Sequence, residues 1–207
     1  MRGRRPLPRV HAVTDHAVLG LPDLAIRAAA IAAGGSGVAL HARDRGAPVG
    51  LLAAAAVRFL ALARPAEAAV FVNARPDVAA AVGAHGVQLG AADVSPADAR
   101  RLLPHAWIGR SVHGADEART ARDEGADFLV VGPVYETATH AGRPGLGPAL
   151  VGICADFGLP VVAIGGITPE RVLEIRAAGA YGVAAIRGLW LDRDPARAAR
   201  DYLEALG

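Results

Sequence analysis

The sequence contains no lysine: all 22 residues counted as lysine or arginine, out of 207, are arginine. Without a lysine amine the protein cannot form a Schiff base, hold pyridoxal phosphate covalently or bind phosphate through a Walker-type lysine. Phosphate chemistry must then rely on arginine, histidine, backbone N–H groups or a metal ion. Enrichment in alanine, arginine and glycine indicates a GC-rich genome in which arginine replaced lysine, and the chemical exclusion holds whatever its cause.

Cysteine and aromatic residues are also scarce. A single cysteine, Cys154, excludes an internal disulfide and a metal site built from several cysteines. Hydrophobic residues make up 53% of the chain and aromatic residues only 4%, so the core must pack through small aliphatic side chains. The net charge of +2, with acids and bases interspersed, gives no indication of a nucleic-acid partner.

Signals for secretion or membrane insertion are missing. The longest apolar run, near Gly50–Ala63, contains Arg58 and is too short to span a bilayer. The arginine-rich start of the chain is not followed by an apolar segment, so we read no signal peptide. We expect residues 1–8 to form a basic tail and residues 9–207 one domain, in a cytoplasmic protein without a membrane partner. A homodimer is compatible with the sequence.

Short β-branched or aliphatic runs alternate with longer stretches rich in alanine, leucine and arginine, about eight times along the chain. Strands separated by helix-length crossovers predict a parallel sheet, and eight such units predict a single-domain (β/α)8 barrel, the TIM-barrel class. A doubly wound sheet usually carries a glycine-rich turn after its first strand, and none occurs here. The predicted strands are Arg9–Thr14, Gly37–Arg43, Ala69–Asn73, Gly86–Leu89, Trp107–His113, Asp127–Gly132, Pro160–Gly165 and Gly182–Ile186.

Polar side chains at the carboxyl ends of the strands are the candidate functional residues, because active sites of such barrels lie there and in the loops that follow. Histidine is prominent among them, and it titrates near neutral pH, which suits proton transfer. The candidates from the first five strands are His11, His41, Arg43, Asn73, Gln88, Ser111 and His113, with Asp93 just beyond the fourth strand.

Three later loops add further candidates. The loop Pro133–Gly147 is long for its position, which is typical of a lid over a ligand. Glycines follow the seventh and eighth strands, where such barrels frequently bind phosphate and where glycine lets the backbone come close to it. The candidates are Glu136, Thr137, Thr139, His140, Gly142 and Gly145 in the long loop, and Gly165, Gly166 and Arg187 after the two strands.

Six motifs occur in a characteristic order and spacing: His11–Asp15, Val72–Ala79, Gly86–Gly90, Gly109–His113, Gly132–Thr137 and Ala163–Thr168. Together they resemble the thiamine-phosphate-synthase-like barrels over essentially the full length of the chain. The resemblance implies an enzyme whose small-molecule substrate is a thiazole phosphate, and it leaves two enzymatic branches to weigh.

The synthase branch of this family joins a pyrimidine diphosphate to a thiazole phosphate with Mg²⁺ and releases pyrophosphate. The resemblance implies two basic residues at the end of the second strand, a metal-binding aspartate after the third-strand asparagine and a lysine in the sixth-strand loop. This chain has His41 and Arg43, Ala74, and His140 at those positions. Of the two carboxylates expected to hold Mg²⁺, only Asp93 remains, which weakens metal binding.

The second branch, the TenI-type thiazole tautomerases, moves a proton within a carboxythiazole phosphate and needs neither a metal nor a lysine. Our main functional prediction is therefore an isomerase without a cofactor. By resemblance, His113 is its acid/base residue, and either Glu136 or His11 assists it. The loop Thr137–Gly147 covers the ring. The phosphate-binding residues of this hypothesis are Gly165, Gly166, Ile186 and Arg187.

Two alternatives stay open at this point. One is a thiamine-phosphate synthase that uses Mg²⁺. The other is a non-catalytic protein that binds thiazole or thiamine phosphates in a regulatory role. Pyrophosphate release from the two synthase substrates separates the first alternative from the tautomerase, and binding without turnover indicates the second.

Overall fold

The chain closes into a barrel of eight parallel strands in sequence order, with the last strand paired to the first. The structure, a computed structural model, describes residues 5–137 and 144–207. The (β/α)8 barrel predicted from the sequence is confirmed. The strands are β1 Val10–Val13, β2 Val38–Ala42, β3 Ala69–Asn73, β4 Gly86–Leu89, β5 Trp107–Val112, β6 Phe128–Val131, β7 Val161–Ile164 and β8 Gly182–Ala185.

Helices connect the strands and form the outer layer. Their ends follow local sequence signals: Ser95 caps α5 by accepting a hydrogen bond from the backbone N–H of Asp98, and Pro96 occupies the first helical position. The helices are α1 His16–Leu19, α2 Leu24–Ala32, α3 Val49–Ala63, α4 Pro76–Val82, α5 Pro96–Leu102, α6 Ala115–Asp123, α7 Ala149–Ala155, α8 Val172–Ala177, α9 Arg187–Trp190 and α10 Pro195–Leu206.

Two phenylalanines fill the middle of the barrel, and glycines on the neighbouring strands make room for them. A Cβ on Gly86 would lie 2.3 Å from the ring of Phe71, and one on Gly109 would lie 2.3 Å from the ring of Phe128. The two rings meet edge to face with centroids 5.8 Å apart. This apolar layer closes the barrel interior beneath the carboxyl ends of the strands.

The segment before β1 closes the opposite end of the barrel. Leu7 is 5% exposed and belongs to the apolar cluster inside the barrel. The hydroxyl of Tyr181 donates to the Leu7 carbonyl, and Trp107 Nε1 donates to the carbonyl of Arg5. The basic composition of residues 1–8 predicts a tail outside the domain, whereas Leu7 packs inside the barrel.

Helix α3 is the most apolar element. With the turn that follows, it forms the stretch Val49–Ala66, which by length and composition alone is long and apolar enough to cross a membrane. The apolar run expected from the sequence to be too short for a bilayer, near Gly50–Ala63, ends three residues before this stretch does. Leu52 and Phe59 lie buried on the face that packs against β2 and β3. Burial of one apolar face is what an outer helix of a barrel requires.

Candidate active site

A cavity of about 950 Å³ lies at the carboxyl ends of the strands. All eight strands or the loops after them contribute to its walls, in the position where barrels of this class bind their ligands. Most of the residues that the sequence predicts for the site meet in this one space. Those that line it are His11, His41, Arg43, Asn73, Gln88, Asp93, Ser111, His113, Glu136, Thr137, Gly165, Gly166, Ile186 and Arg187.

Four further residues of the long loop were predicted for the site. Thr139, His140 and Gly142 lie outside the residues that the structure describes. Gly145 is described, but it packs against the backbone after β6, where a Cβ would lie 2.3 Å from the carbonyl oxygen of Val134. Glycine at this position therefore allows the last residues of the loop to pack closely against its first residues.

A buried pair of histidines forms the floor of the cavity. His11 Nδ1 lies 2.8 Å from His41 Nε2, and His11 Nε2 lies 3.0 Å from the carbonyl oxygen of Pro8. His41 Nδ1 lies 3.0 Å from Oδ1 of Asn73. Both histidines are 1% exposed, and His41 stacks on Phe71. Burial lowers the pKa of His11 to about 4, and burial with the nearby His11 holds the pKa of His41 well below its usual value.

Gln88 forms part of the wall between β4 and β5. Its Nε2 donates to Ser111 Oγ at 3.1 Å and to the Leu89 carbonyl at 3.3 Å. Its Oε1 is buried and has no hydrogen-bond partner within residues 5–137 and 144–207. A Cβ on Gly109 would lie 2.1 Å from that oxygen, so glycine in β5 makes room for the amide. The contact fixes the position of the Ser111 hydroxyl beside the cavity.

His113 lies at the rim of the cavity and is half exposed. Glu117, on the first turn of α6, holds it in place: one carboxylate oxygen lies 2.8 Å from the backbone nitrogen of His113 and 3.0 Å from its Nδ1. Because a carboxylate can only accept a hydrogen bond, Nδ1 donates to Glu117, and Nε2 is the ring nitrogen that remains for another partner. Sequence reasoning did not single out Glu117, although its spacing of four residues from His113 was the available signal.

Four arginines line the cavity, and two of them were not predicted from the sequence. Arg45 and Arg75 line it together with Arg43 and Arg187. Arg45 lies three positions after the end of β2, and Arg75 lies two positions after the end of β3. Thr14 Oγ1 accepts from the backbone N–H of Arg43, while burial and the neighbouring Arg45 lower the pKa of Arg43. Four guanidinium groups along one cavity are suited to bind an anionic ligand such as a phosphate.

The turn after β7 depends on glycine for its backbone conformation. Gly165 and Gly166 have φ values of 104° and 64°, and a Cβ on Gly166 would lie 2.7 Å from the carbonyl oxygen of Glu136. Arg171 donates to the Gly166 carbonyl at 2.6 Å and lies 4.3 Å from the centre of the Tyr135 ring. The two glycines thus allow the β6 and β7 loops to approach each other at the cavity wall.

The residues that the structure describes do not form a complete metal site by themselves. Within the described parts of the chain, no group of three or more His, Cys, Asp or Glu side chains is placed to hold a metal ion. Asp93 lines the cavity, and one of its carboxylate oxygens accepts from the backbone N–H of Gly90 at 2.6 Å. Ala74 also lines the cavity, with a left-handed φ of 65°. A cation here would need ligand atoms from the substrate as well as from Asp93.

Comparisons with known proteins add direct evidence on the family. The family model described as thiamine monophosphate synthase matches residues 10–189. A protein of Thermus thermophilus named thiamine-phosphate synthase is 43% identical over 179 residues, 86% of this chain and 85% of that protein. One of Marinobacter nauticus with the same name is 37% identical over 185 residues, 88% of this chain and 83% of that protein. A solved structure, thiamine phosphate pyrophosphorylase from Pyrococcus furiosus, has a TM-score of 0.82 and 28% identity, covering 96% of this chain and 95% of that one.

These comparisons overturn the main functional prediction. The prediction of a thiazole tautomerase, an isomerase of the TenI branch, is wrong, because relatives aligned over most of the chain are named thiamine-phosphate synthase, a transferase. The prediction gave too much weight to the missing lysine and to Ala74 and His41. Arginines that line the cavity supply the positive charge that a lysine would otherwise provide, so the missing lysine does not count against diphosphate chemistry.

Proposed function

Because the chain belongs to the thiamine monophosphate synthase family, we propose that it joins a hydroxymethylpyrimidine diphosphate to a thiazole phosphate and releases pyrophosphate. The observation that carries this proposal is the 43% identity over 86% of the chain to a relative named thiamine-phosphate synthase. The arginine-lined cavity supports it, since both substrates and the leaving pyrophosphate are anions. We expect the reaction to take place in the cytoplasm with small phosphorylated molecules as partners.

The proposed roles divide the cavity into two halves. Arg43, Arg45 and Arg75 follow β2 and β3, and we assign them to the diphosphate, whose charge increases as the bond to the pyrimidine breaks. The opposite half, formed by Gly165, Gly166, Ile186 and Arg187, receives the phosphate of the thiazole. Bound in this way, the two substrates meet above the histidine pair on the floor of the cavity, where their orientation lowers the barrier to transfer.

The residues between these halves bind and orient the rings. Gln88 and Ser111, joined by a hydrogen bond, present polar groups on one wall. Glu136 and Thr137 face the cavity from the start of the long loop, and His113 lies at its rim. We assign these five residues to substrate binding rather than to acid/base steps, because transfer of the pyrimidine group to a thiazole nitrogen requires no proton abstraction.

We propose that Mg²⁺ enters with the diphosphate. Magnesium is commonly held by one or two carboxylates together with substrate phosphates, and Asp93 supplies one carboxylate at the cavity wall. When bound, the ion neutralises charge on the leaving pyrophosphate. Since Ala74 offers no carboxylate, we expect the free protein to bind Mg²⁺ weakly and the substrate complex to bind it better.

Incubation with both substrates and Mg²⁺ tests the proposal. Thiamine phosphate and pyrophosphate should form in equal amounts. Chromatography measures the first product, and a coupled assay measures the second. Replacing Arg43 by Gln should lower kcat/KM at least about tenfold, because a charge-assisted hydrogen bond contributes about 1.5–3 kcal/mol. The matched control is Arg64→Gln, since Arg64 is exposed in the turn before β3, at the opposite end of the barrel. Binding of both substrates by the wild-type protein without product would contradict the proposal.

A further inference from the structure

The histidine pair on the cavity floor is part of a chain of hydrogen bonds in which the proton positions can be counted. The Pro8 carbonyl oxygen can only accept, so the facing His11 Nε2, at 3.0 Å, must carry a proton. If His11 is neutral, its Nδ1 is a lone pair and must accept from His41 Nε2, 2.8 Å away. A neutral pair therefore has its two protons on the two Nε2 atoms.

The last bond of the chain then depends on the charge of the pair. In a neutral pair His41 Nδ1 is a lone pair, and only the amino end of the Asn73 amide can donate to it. With Oδ1 of Asn73 toward His41, as the structure has it at 3.0 Å, the ring nitrogens must carry a third proton. The two ends of an amide are distinguished only by their hydrogen bonds. Turning the Asn73 amide is thus equivalent to changing the charge of the pair by one.

The surroundings of the pair favour its neutral form when the cavity holds no anion. Both histidines are buried, and the positive charge of Arg43, which directly follows β2, acts on His41 in addition to the effect of His11. The elements that pack against the rings contribute Phe71 and Phe128, which do not titrate. A positive charge in this position is opposed by burial and by the nearby guanidinium.

An anion in the cavity reverses this preference. His41, Asn73 and the arginines of the diphosphate half line the same space. A phosphate group there favours a cationic His41 and favours N–H donors over a carbonyl oxygen on Asn73. Protonation of the pair meets both requirements at once, because it turns the amino group of Asn73 into the cavity.

We propose that His11 and His41 are positioning residues that act through Asn73: the pair takes up one proton when a diphosphate anion binds, and Asn73 then turns its amino group to that anion. This inference rests on the proposed function for the identity of the anion. Two groups at the end of β2 then recognise the diphosphate in different ways. Arg43 carries a positive charge at all times, whereas His41 becomes charged only when the anion binds.

The direct test is to observe the ring protons with inorganic pyrophosphate as the probe. Nitrogen-15 NMR of histidine-labelled protein at pH 7.5 should show His11 and His41 as neutral Nε2–H tautomers in the free protein. Saturation with pyrophosphate should convert His41 to the imidazolium form. In Asn73→Asp the carboxylate cannot donate, so His41 should be an imidazolium without ligand. A cationic His41 in the free wild-type protein, or no change with pyrophosphate, overturns the inference.

Calorimetry in buffers of different ionisation enthalpy counts the protons that are taken up. Wild type should take up one more proton per bound pyrophosphate than His41→Asn. Subtracting the two values removes the protonation change of pyrophosphate itself, because this change is the same for both proteins. The affinity advantage of wild type over this variant should then fall about tenfold per pH unit between the low pKa of His41 in the free protein and its pKa in the complex, and level off above the latter. His105→Asn, at an exposed position before β5, should behave as wild type. Equal proton numbers, or no binding of pyrophosphate, overturn the inference.

Product formation decides the proposed function independently of these measurements. A protein that forms thiamine phosphate but shows equal proton numbers retains the proposed function and loses the proton-uptake inference. A protein that takes up the extra proton but forms no product retains the inference and loses the function.

Discussion

Ala74 has a backbone conformation that suits other residues better. Its φ of 65° is left-handed, and its N–H donates to the Gln88 carbonyl at 2.8 Å, which links β3 to β4 at the cavity wall. A left-handed conformation costs an alanine roughly 1–2 kcal/mol, whereas Asn and Asp adopt it more readily. The backbone at this position is therefore compatible with the carboxylate that the family resemblance leads one to expect there.

We predict that Ala74→Asp and Ala74→Asn both leave the free energy of unfolding unchanged or raise it by up to about 1 kcal/mol, because both side chains tolerate the left-handed conformation. Only Ala74→Asp should lower, several-fold, the Mg²⁺ concentration that gives half-maximal product formation, since it adds a second carboxylate beside the cavity. Urea unfolding and a Mg²⁺ titration measure the two effects. An equal Mg²⁺ dependence for the two variants would show that position 74 does not contact the ion.

The position of a site residue was predictable from the sequence where it depends only on the place of that residue along one strand. His41, Asn73 and Ser111 line the cavity because side chains near a strand end on the inner face of a barrel point to the same space. The role of His11 was not predictable in this way. Its ring nitrogens meet a residue three positions earlier and a residue on another strand, and spacing along one strand does not indicate such partners.

Strands were the elements best predicted from the sequence. β3 and β4 begin and end at the predicted residues, because each is a short, mostly apolar run that has polar residues or glycine within two positions of its ends. Two one-turn helices, His16–Leu19 and Arg187–Trp190, were missed. A helix of four residues has no apolar periodicity, so tertiary contacts rather than local pattern determine it.

The segment before β1 acts as a structural element although it is neither helix nor strand. Leu7 packs inside the barrel, the Pro8 carbonyl bonds His11, and Arg9 donates to the carbonyls of Tyr181 and Leu206. This segment thus connects the amino end of the barrel to the last helix and to the floor of the cavity. Its basic composition suggested a solvated tail, since four of the first nine residues are arginine.

We predict that Leu7→Ala lowers the free energy of unfolding by about 2–5 kcal/mol, the range observed when a buried leucine is truncated. Leu191→Ala is the matched control, because Leu191 is 50% exposed and its truncation should cost less than about 0.5 kcal/mol. Urea unfolding measures both values. Similar small losses for the two variants would mean that the segment before β1 contributes nothing to the packing of the barrel.

Charge is distributed unevenly over the protein although its sum is small. The net charge is only +2, yet four arginines line the mouth of the cavity, where they outnumber the three lining carboxylates of Asp44, Asp93 and Glu136. A cationic mouth attracts anionic substrates and raises their association rate. Sequence composition alone could not indicate this, because the fold brings the arginines together from loops after three different strands.

The salt dependence of the reaction tests this view of the molecule. We predict that kcat/KM for the diphosphate substrate, at constant Mg²⁺, falls several-fold between about 10 and 200 mM salt, because the screening length shrinks from about 30 Å to below 10 Å. Arg45→Gln should lower the value at low salt and weaken the salt dependence. Arg64→Gln removes the same charge at the opposite end of the barrel and should follow the wild-type curve. If the two variants show the same curve, total charge rather than the arginines at the mouth governs substrate capture.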